Sequence, residues 1–122
     1  MKNNNSIDAG RLTERITIQK PDRTTQPSGQ LNTADEHWLD VATVWAEVKC
    51  IRVSTEEDAG IIQHGSEYRF YIRWRNDIRA EMRIVWNDGG RVRVFELTGP
   101  PADWKGRRVG LTLVGRELVD DA

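Results

Sequence analysis

The sequence predicts a mostly β protein: a small antiparallel six-stranded barrel or sandwich with one short helix and a long loop. Three observations carry this. Six runs alternate apolar and polar residues with the period of a strand. Clusters of Gly, Pro, Asn and Asp punctuate the chain between several of them. One helical segment stands alone, without the strand–helix–strand rhythm of a parallel sheet.

The first strand is expected at residues 11–19. Leu12, Glu14, Ile16, Ile18 and Lys20 share one parity there, and Pro21 ends the run. Residues 21–36 follow as a polar loop punctuated by Pro27-Ser28-Gly29, longer than most connections in compact domains. Residues 38–50 contain no Gly or Pro and two of the five tryptophans. Val44, Ala46, Val48 and Cys50 share one face, and Trp45, Glu47 and Lys49 the other. This is the long central strand, with a bend expected near residues 40–43, and Cys50 is expected to be a small buried residue.

Ser54 followed by Glu57 is a capping box, and Glu56, Glu57 and Asp58 favour the positive end of a helix dipole. One helix is therefore expected over residues 55–63, stopped at Gly65 and weakened by Gly60. The next strand, residues 67–75, sets Tyr68, Phe70, Ile72 and Trp74 against Arg69, Tyr71, Arg73 and Arg75. Residues 81–86 place Met82, Ile84 and Trp86 opposite Arg83 and Val85. Asn87-Asp88-Gly89-Gly90 is a tight-turn signal that returns the chain as a hairpin over residues 91–97. Gly99-Pro100-Pro101 breaks the sheet, Trp104 falls in a loop, and residues 107–115 form the last strand with Val109, Leu111 and Leu113 on one side.

The chain of 122 residues suits one domain. Residues 1–9 are expected to be flexible, 10–117 to fold, and 118–122 to form an acidic tail. No apolar run approaches the roughly 20 residues of a membrane-spanning helix, and the N-terminus lacks the apolar stretch of a secretory signal. One cysteine permits no intrachain disulfide. Net charge is −1 but uneven: residues 1–66 carry 7 basic and 10 acidic groups, residues 67–116 carry 11 and 6, and residues 117–122 carry three acids and no base. Arginines outnumber lysines 14 to 4, which suits either bidentate partner contacts or ion pairs across a solvated sheet.

The inventory for chemistry is thin. His37, His64 and Cys50 match no zinc spacing, and no local motif marks a nucleophile and its base. Helix capping accounts for Glu56-Glu57-Asp58, and Gly89-Gly90 precedes no phosphate-binding helix. The expectation is no catalytic residue, no metal and no cofactor. Tyr71 between Arg69 and Arg73 leaves a small single-strand-binding barrel open, although the neighbouring aromatics suit a core and the chain is slightly acidic.

The order of motifs resembles the head–tail joining proteins of long-tailed phages, also called head-closure proteins, stoppers or head–tail adaptors. The resemblance runs from Gly10-Arg11-Leu12 and Arg15-Ile16-Thr17-Ile18-Gln19 through Trp38 and Val41-Ala42-Thr43-Val44-Trp45-Ala46-Glu47-Val48. It continues through Ile72-Arg73-Trp74-Arg75-Asn76-Asp77-Ile78 and Met82-Arg83-Ile84 to Gly106-Arg107-Arg108 and Leu111-Thr112-Leu113. Gly115 departs from it, since relatives often carry a cysteine near the end, as does Arg91-Val92-Arg93-Val94-Phe95.

The resemblance implies a non-enzymatic virion neck protein, in a phage or a gene transfer agent, assembled in the host cytoplasm. It implies a homo-oligomeric ring, commonly a dodecamer, below the portal or adaptor ring. Such a ring closes the filled head and receives a tail terminator or tail tube protein, while packaged DNA passes without sequence-specific contact. Placed in such a ring, Arg69, Arg73 and Arg75 are expected at the subunit interface. Arg23, Gln26, Gln30 and Asn32 on the long loop are expected to reach a neighbouring ring or the tail. Glu56, Glu57 and Asp58 are expected to face the channel, where tight phosphate contacts would impede DNA. The remaining alternatives are a nucleic-acid-binding barrel and a tail-side terminator or adaptor.

Overall fold

The computed structural model describes residues 9–22, 37–53, 65–104 and 106–118. Its strands are β1 (Glu14–Pro21), β2 (Trp38–Arg52), β3 (Glu67–Arg73), β4 (Arg83–Asp88), β5 (Arg91–Leu97), β6 (Ala102–Trp104) and β7 (Gly110–Glu117). They pair antiparallel in the order β3-β2-β1-β4-β5-β7, and β3 returns to pair with β7 along its whole length. Six strands thus close an antiparallel barrel, which leaves no open edge among them. Short β6 pairs with the beginning of β7, where β5 has not yet reached it.

Alternation along the strands builds the core. Ile16 and Ile18 of β1, Ala46 of β2, Phe70 and Ile72 of β3, Ile84 and Trp86 of β4, Phe95 of β5, and Leu111 and Leu113 of β7 are buried together. Each fully buried Ile, Leu or Phe contributes about 1.5–3 kcal/mol. Phe70 and Phe95 meet edge-on at 5.1 Å between ring centroids, a geometry that sets a positive ring edge against a negative face.

The long strand bends where expected. Ile18 pairs with Ala42 but Gln19 with Asp40, so Val41 is an extra residue in β2 and forms a bulge. A second irregularity, between Cys50 and Arg52, has a consequence for Cys50. The side chain keeps the parity of Val48 but is exposed rather than buried. At this point β2 has run past the core to the rim and its pairing is slipping.

Other boundaries shift for local reasons. β1 begins at Glu14, because Ala9–Arg11 forms a single 3-10 turn. Pro21 is the last strand residue rather than the stop after it, and is buried opposite Trp38. β3 stops at Arg73; Trp74 still donates its N–H to Val109, and the chain bends at Asn76. β4 begins at Arg83, because Met82 donates to Arg79 in a turn. Residues 107–109 form turns rather than strand, with Arg108 in a left-handed conformation (φ 57°), so β7 starts at Gly110. Trp104 belongs to β6 rather than a loop; a three-residue strand after two prolines has too few alternations to be read.

The hairpin between β4 and β5 follows its sequence signal. Gly89 and Gly90 both have positive φ (61° and 94°), as a two-residue primed turn demands, and Gly90 donates to the Asn87 side chain. Gly115 serves a different need. A Cβ there would lie 2.9 Å from the Cβ of Phe95, so glycine lets β7 pass this close to β5. The helix expected over residues 55–63 lies outside the described residues, and so does most of the long loop.

Candidate functional site

Two arginine-centred surfaces stand out. The first lies on the outer wall formed by β1, β2 and β3. Arg15 pairs with Trp45, and Glu47 pairs with Tyr71. Carried two residues further, the second register sets Arg73 level with Trp45. The row Arg15, Trp45, Arg73 therefore crosses three strands on their solvent side.

Trp45 is 51% exposed, and the Arg15 guanidinium stacks over its ring at 4.8 Å. Beside it opens a groove of about 420 Å³, lined by Leu12, Val44, Trp45 and Trp74 together with Arg15, Arg73 and Arg75. The Arg108 guanidinium lies 5.8 Å from the Trp74 ring centroid.

The three arginines expected at an interface are placed differently. Arg69 and Arg73 flank Tyr71 on the outer face of β3, and Arg69 donates to the Tyr71 hydroxyl at 3.3 Å. Arg75 has left the strand. It grips Asp77 through two hydrogen bonds of 3.0 and 2.7 Å. That bonding raises the Arg75 pKa and holds the Asp77 carboxyl below its ordinary range, against the opposing effect of burial. Arg73 is exposed and holds no carboxylate among the described residues. Arg73 and Arg75 share the groove; Arg69 lies outside its lining. Arg23, Gln26, Gln30, Asn32, Glu56, Glu57 and Asp58 lie outside the described residues.

The second cluster surrounds Arg93 on β5, whose side chain is only 12% exposed. Its Nε and one terminal nitrogen donate to the two carboxylate oxygens of Glu117 at 2.9 and 2.8 Å. It also donates to the Tyr68 hydroxyl at 2.9 Å and to Asp88 at 3.1 Å. The guanidinium lies 4.8 Å from the Tyr68 ring centroid and 5.0 Å from that of Trp86. The hydrogen bond from Arg93 holds the Glu117 carboxyl below its ordinary range, while burial opposes that shift. The bond to Glu117 likewise raises the Arg93 pKa, with Tyr68 and Asp88 adding to it.

This cluster is absent from the sequence expectations, although one signal for it was present. Arg93 shares the parity of buried Phe95, and a cation on an apolar face requires partners. The partners, Glu117 and Tyr68, come from strands too distant in the chain for spacing to reveal.

Among the described residues no group of three His, Cys, Asp or Glu side chains converges to hold a metal ion. The arrangement suits recognition: a groove lined by aromatic and cationic side chains, set on a closed and internally braced barrel.

Comparison with known proteins agrees in scale. Residues 7–118 match the family described as phage head completion protein. The solution structure of protein SF1141 from Shigella flexneri 2a is 31% identical, with a TM-score of 0.68 over 94% of this chain and 100% of that one. A chain in the virion of a native gene transfer agent particle shares the fold at 20% identity and a TM-score of 0.64, covering 90% of this chain and 98% of that one. No curated protein matches the chain.

Proposed function

The chain belongs to the phage head completion protein family, and from that premise we propose that it forms a ring below the portal or its adaptor, closes the DNA-filled head and offers the surface on which the tail docks. The coarser statement comes with membership: this is a structural component of the virion. The observation that carries the reading is the extent of the match, which takes in every strand of the barrel. The whole folded unit, rather than a fragment of it, is the family's unit.

The barrel suits such a place. Six of its strands close on one another, which removes most of the free sheet edge among the described residues. Its outer wall carries an exposed Trp–Arg row, and exposed aromatic and arginine side chains are typical anchors of protein interfaces. A chain of the gene transfer agent virion has the same fold. In the proposed ring the β1–β2–β3 wall, with Arg69 and Arg73, meets a neighbour, and Arg75 braces the groove through Asp77. The segment holding Arg23, Gln26, Gln30 and Asn32 reaches toward the adjoining ring or tail, and Glu56, Glu57 and Asp58 face the channel. Packaged DNA passes without sequence-specific contact.

The test is genetic and biochemical. Particles lacking this chain are expected to accumulate as tailless heads, and purified chain added back is expected to restore tail joining. Tailed, infectious particles formed without the chain would overturn the reading.

A further inference from the structure

The β1–β2–β3 groove combines apolar and cationic side chains. Leu12, Trp45 and Trp74 line it together with Arg15, Arg73 and Arg75. The carboxylates near it are already engaged: Asp77 is held by Arg75 at 2.7 Å and Glu47 by Arg11 at 2.6 Å. Arg15 stacks on Trp45, and neither it nor Arg73 is paired with a carboxylate among the described residues. Two positive charges beside exposed indole therefore lack counter-charge within the folded barrel.

The chain itself carries a segment of complementary chemistry. Beyond β7 it reads Leu118-Val119-Asp120-Asp121. Glu117 is fixed by Arg93, and Leu118 donates its N–H to Val94, so the segment departs from a firmly held point. Leu118 is 45% exposed there, beside Val92 at 64%.

We propose that the groove docks the Leu118-Val119-Asp120-Asp121 segment of a second copy, the aliphatic side chains against Trp45 and Trp74 and the aspartates on Arg15 and Arg73. Reach favours a second copy over the chain's own segment. Arg73 pairs with Gly110, eight residues up β7 from Leu118, or about 26 Å along the strand. Asp121 lies three residues beyond Leu118 and extends about 10 Å. A contact between two different surfaces of identical chains is heterologous, the kind that closes into a ring when the rotation permits. This inference rests on the ring reading above and names a contact within it.

The test uses the full chain with Arg15→Glu and Arg73→Glu together, with Asp120→Arg and Asp121→Arg together, and with all four changes. The tail changes lie beyond the last strand. Self-association is read by sedimentation in low salt, and binding to DNA-filled tailless heads is read in parallel. Either pair of reversals is expected to weaken association about tenfold or more. All four together are expected to restore it, and so is an equimolar mixture of the two double variants.

A wild-type chain that stays monomeric at its highest soluble concentration overturns the contact. So does association indifferent to the tail reversal, or a mixture that fails to recover. Salt-dependent binding of a single-stranded oligothymidine that is lost on groove reversal but unaffected by tail reversal would assign the groove to nucleic acid instead. Head binding that survives each double reversal sinks this contact and leaves the ring; loss of head binding by the wild-type chain sinks both.

Discussion

Arg93 and Arg73 are the same residue type in one barrel, and they sit in opposite circumstances. Arg93 is enclosed, with Glu117, Asp88 and the Tyr68 hydroxyl all bonded to it and aromatic rings against its faces. Arg73 is exposed beside a groove and bonded to no carboxylate among the described residues. Burial decides the difference. A guanidinium held among aromatic rings folds only with its charge answered, so its partners are part of the barrel's stability. A guanidinium in water carries no such requirement and is available to another molecule.

Removing Arg93 should break the comparison most sharply. Arg93→Ala leaves Glu117 half-buried without its partner and is expected to cost about 2–4 kcal/mol by chemical denaturation. A loss near zero would mean that the cluster is ornamental. Next comes the neighbouring close approach: Gly115→Ala places a Cβ 2.9 Å from that of Phe95, with an expected cost of about 1–3 kcal/mol. Stability unchanged by this substitution would mean that β7 gives way easily beside β5.

Acid should probe the Arg93 cluster directly. The Glu117 carboxyl is held below its ordinary range by the Arg93 hydrogen bond. Its contribution is therefore complete above the unfolded-state pKa and is lost as pH falls through the lower folded value. Denaturation measured down an acid series should show this loss in the wild type and a shallower one in Glu117→Gln. Identical slopes would contradict the assignment.

How much of this was legible in sequence depends on how local the cause was. The turn at Gly89-Gly90, the inward faces of β1, β3 and β4, and the bend at Val41 all follow from neighbours in the chain. Barrel closure through β3 and β7 does not, because pairing Glu67 with Arg116 requires the fold first. Cys50 had the parity of a core residue, but parity does not say where a strand runs out of barrel. The Trp45 row shows the same limit. Alternation set Trp45 on the outer face, but only the registers of β1 and β3 bring Arg15 and Arg73 beside it. In the region from 67 to 75, the sequence showed three arginines alternating with core residues. It did not show that Arg75 turns off the strand to meet Asp77.

Smaller effects sharpen the open end of the comparison. Arg75 and Asp77 are 34% and 41% exposed at their side chains, so Arg75→Ala is expected to cost only about 0.2–1 kcal/mol. Arg15→Glu and Arg73→Glu are expected to change stability by less than about 0.5 kcal/mol. The same thermal or chemical unfolding series measures all three. A large loss at Arg73 would place it with Arg93 among the structural arginines and remove it from the recognition surface.

The most direct test of the central claim is co-sedimentation of the purified full chain with DNA-filled, tailless heads, with DNA release followed over time. Head closure predicts that the chain binds at a single vertex and that less DNA escapes. Heads that neither bind the chain nor retain DNA better in its presence would contradict it, most clearly if the chain instead bound purified tails or naked DNA.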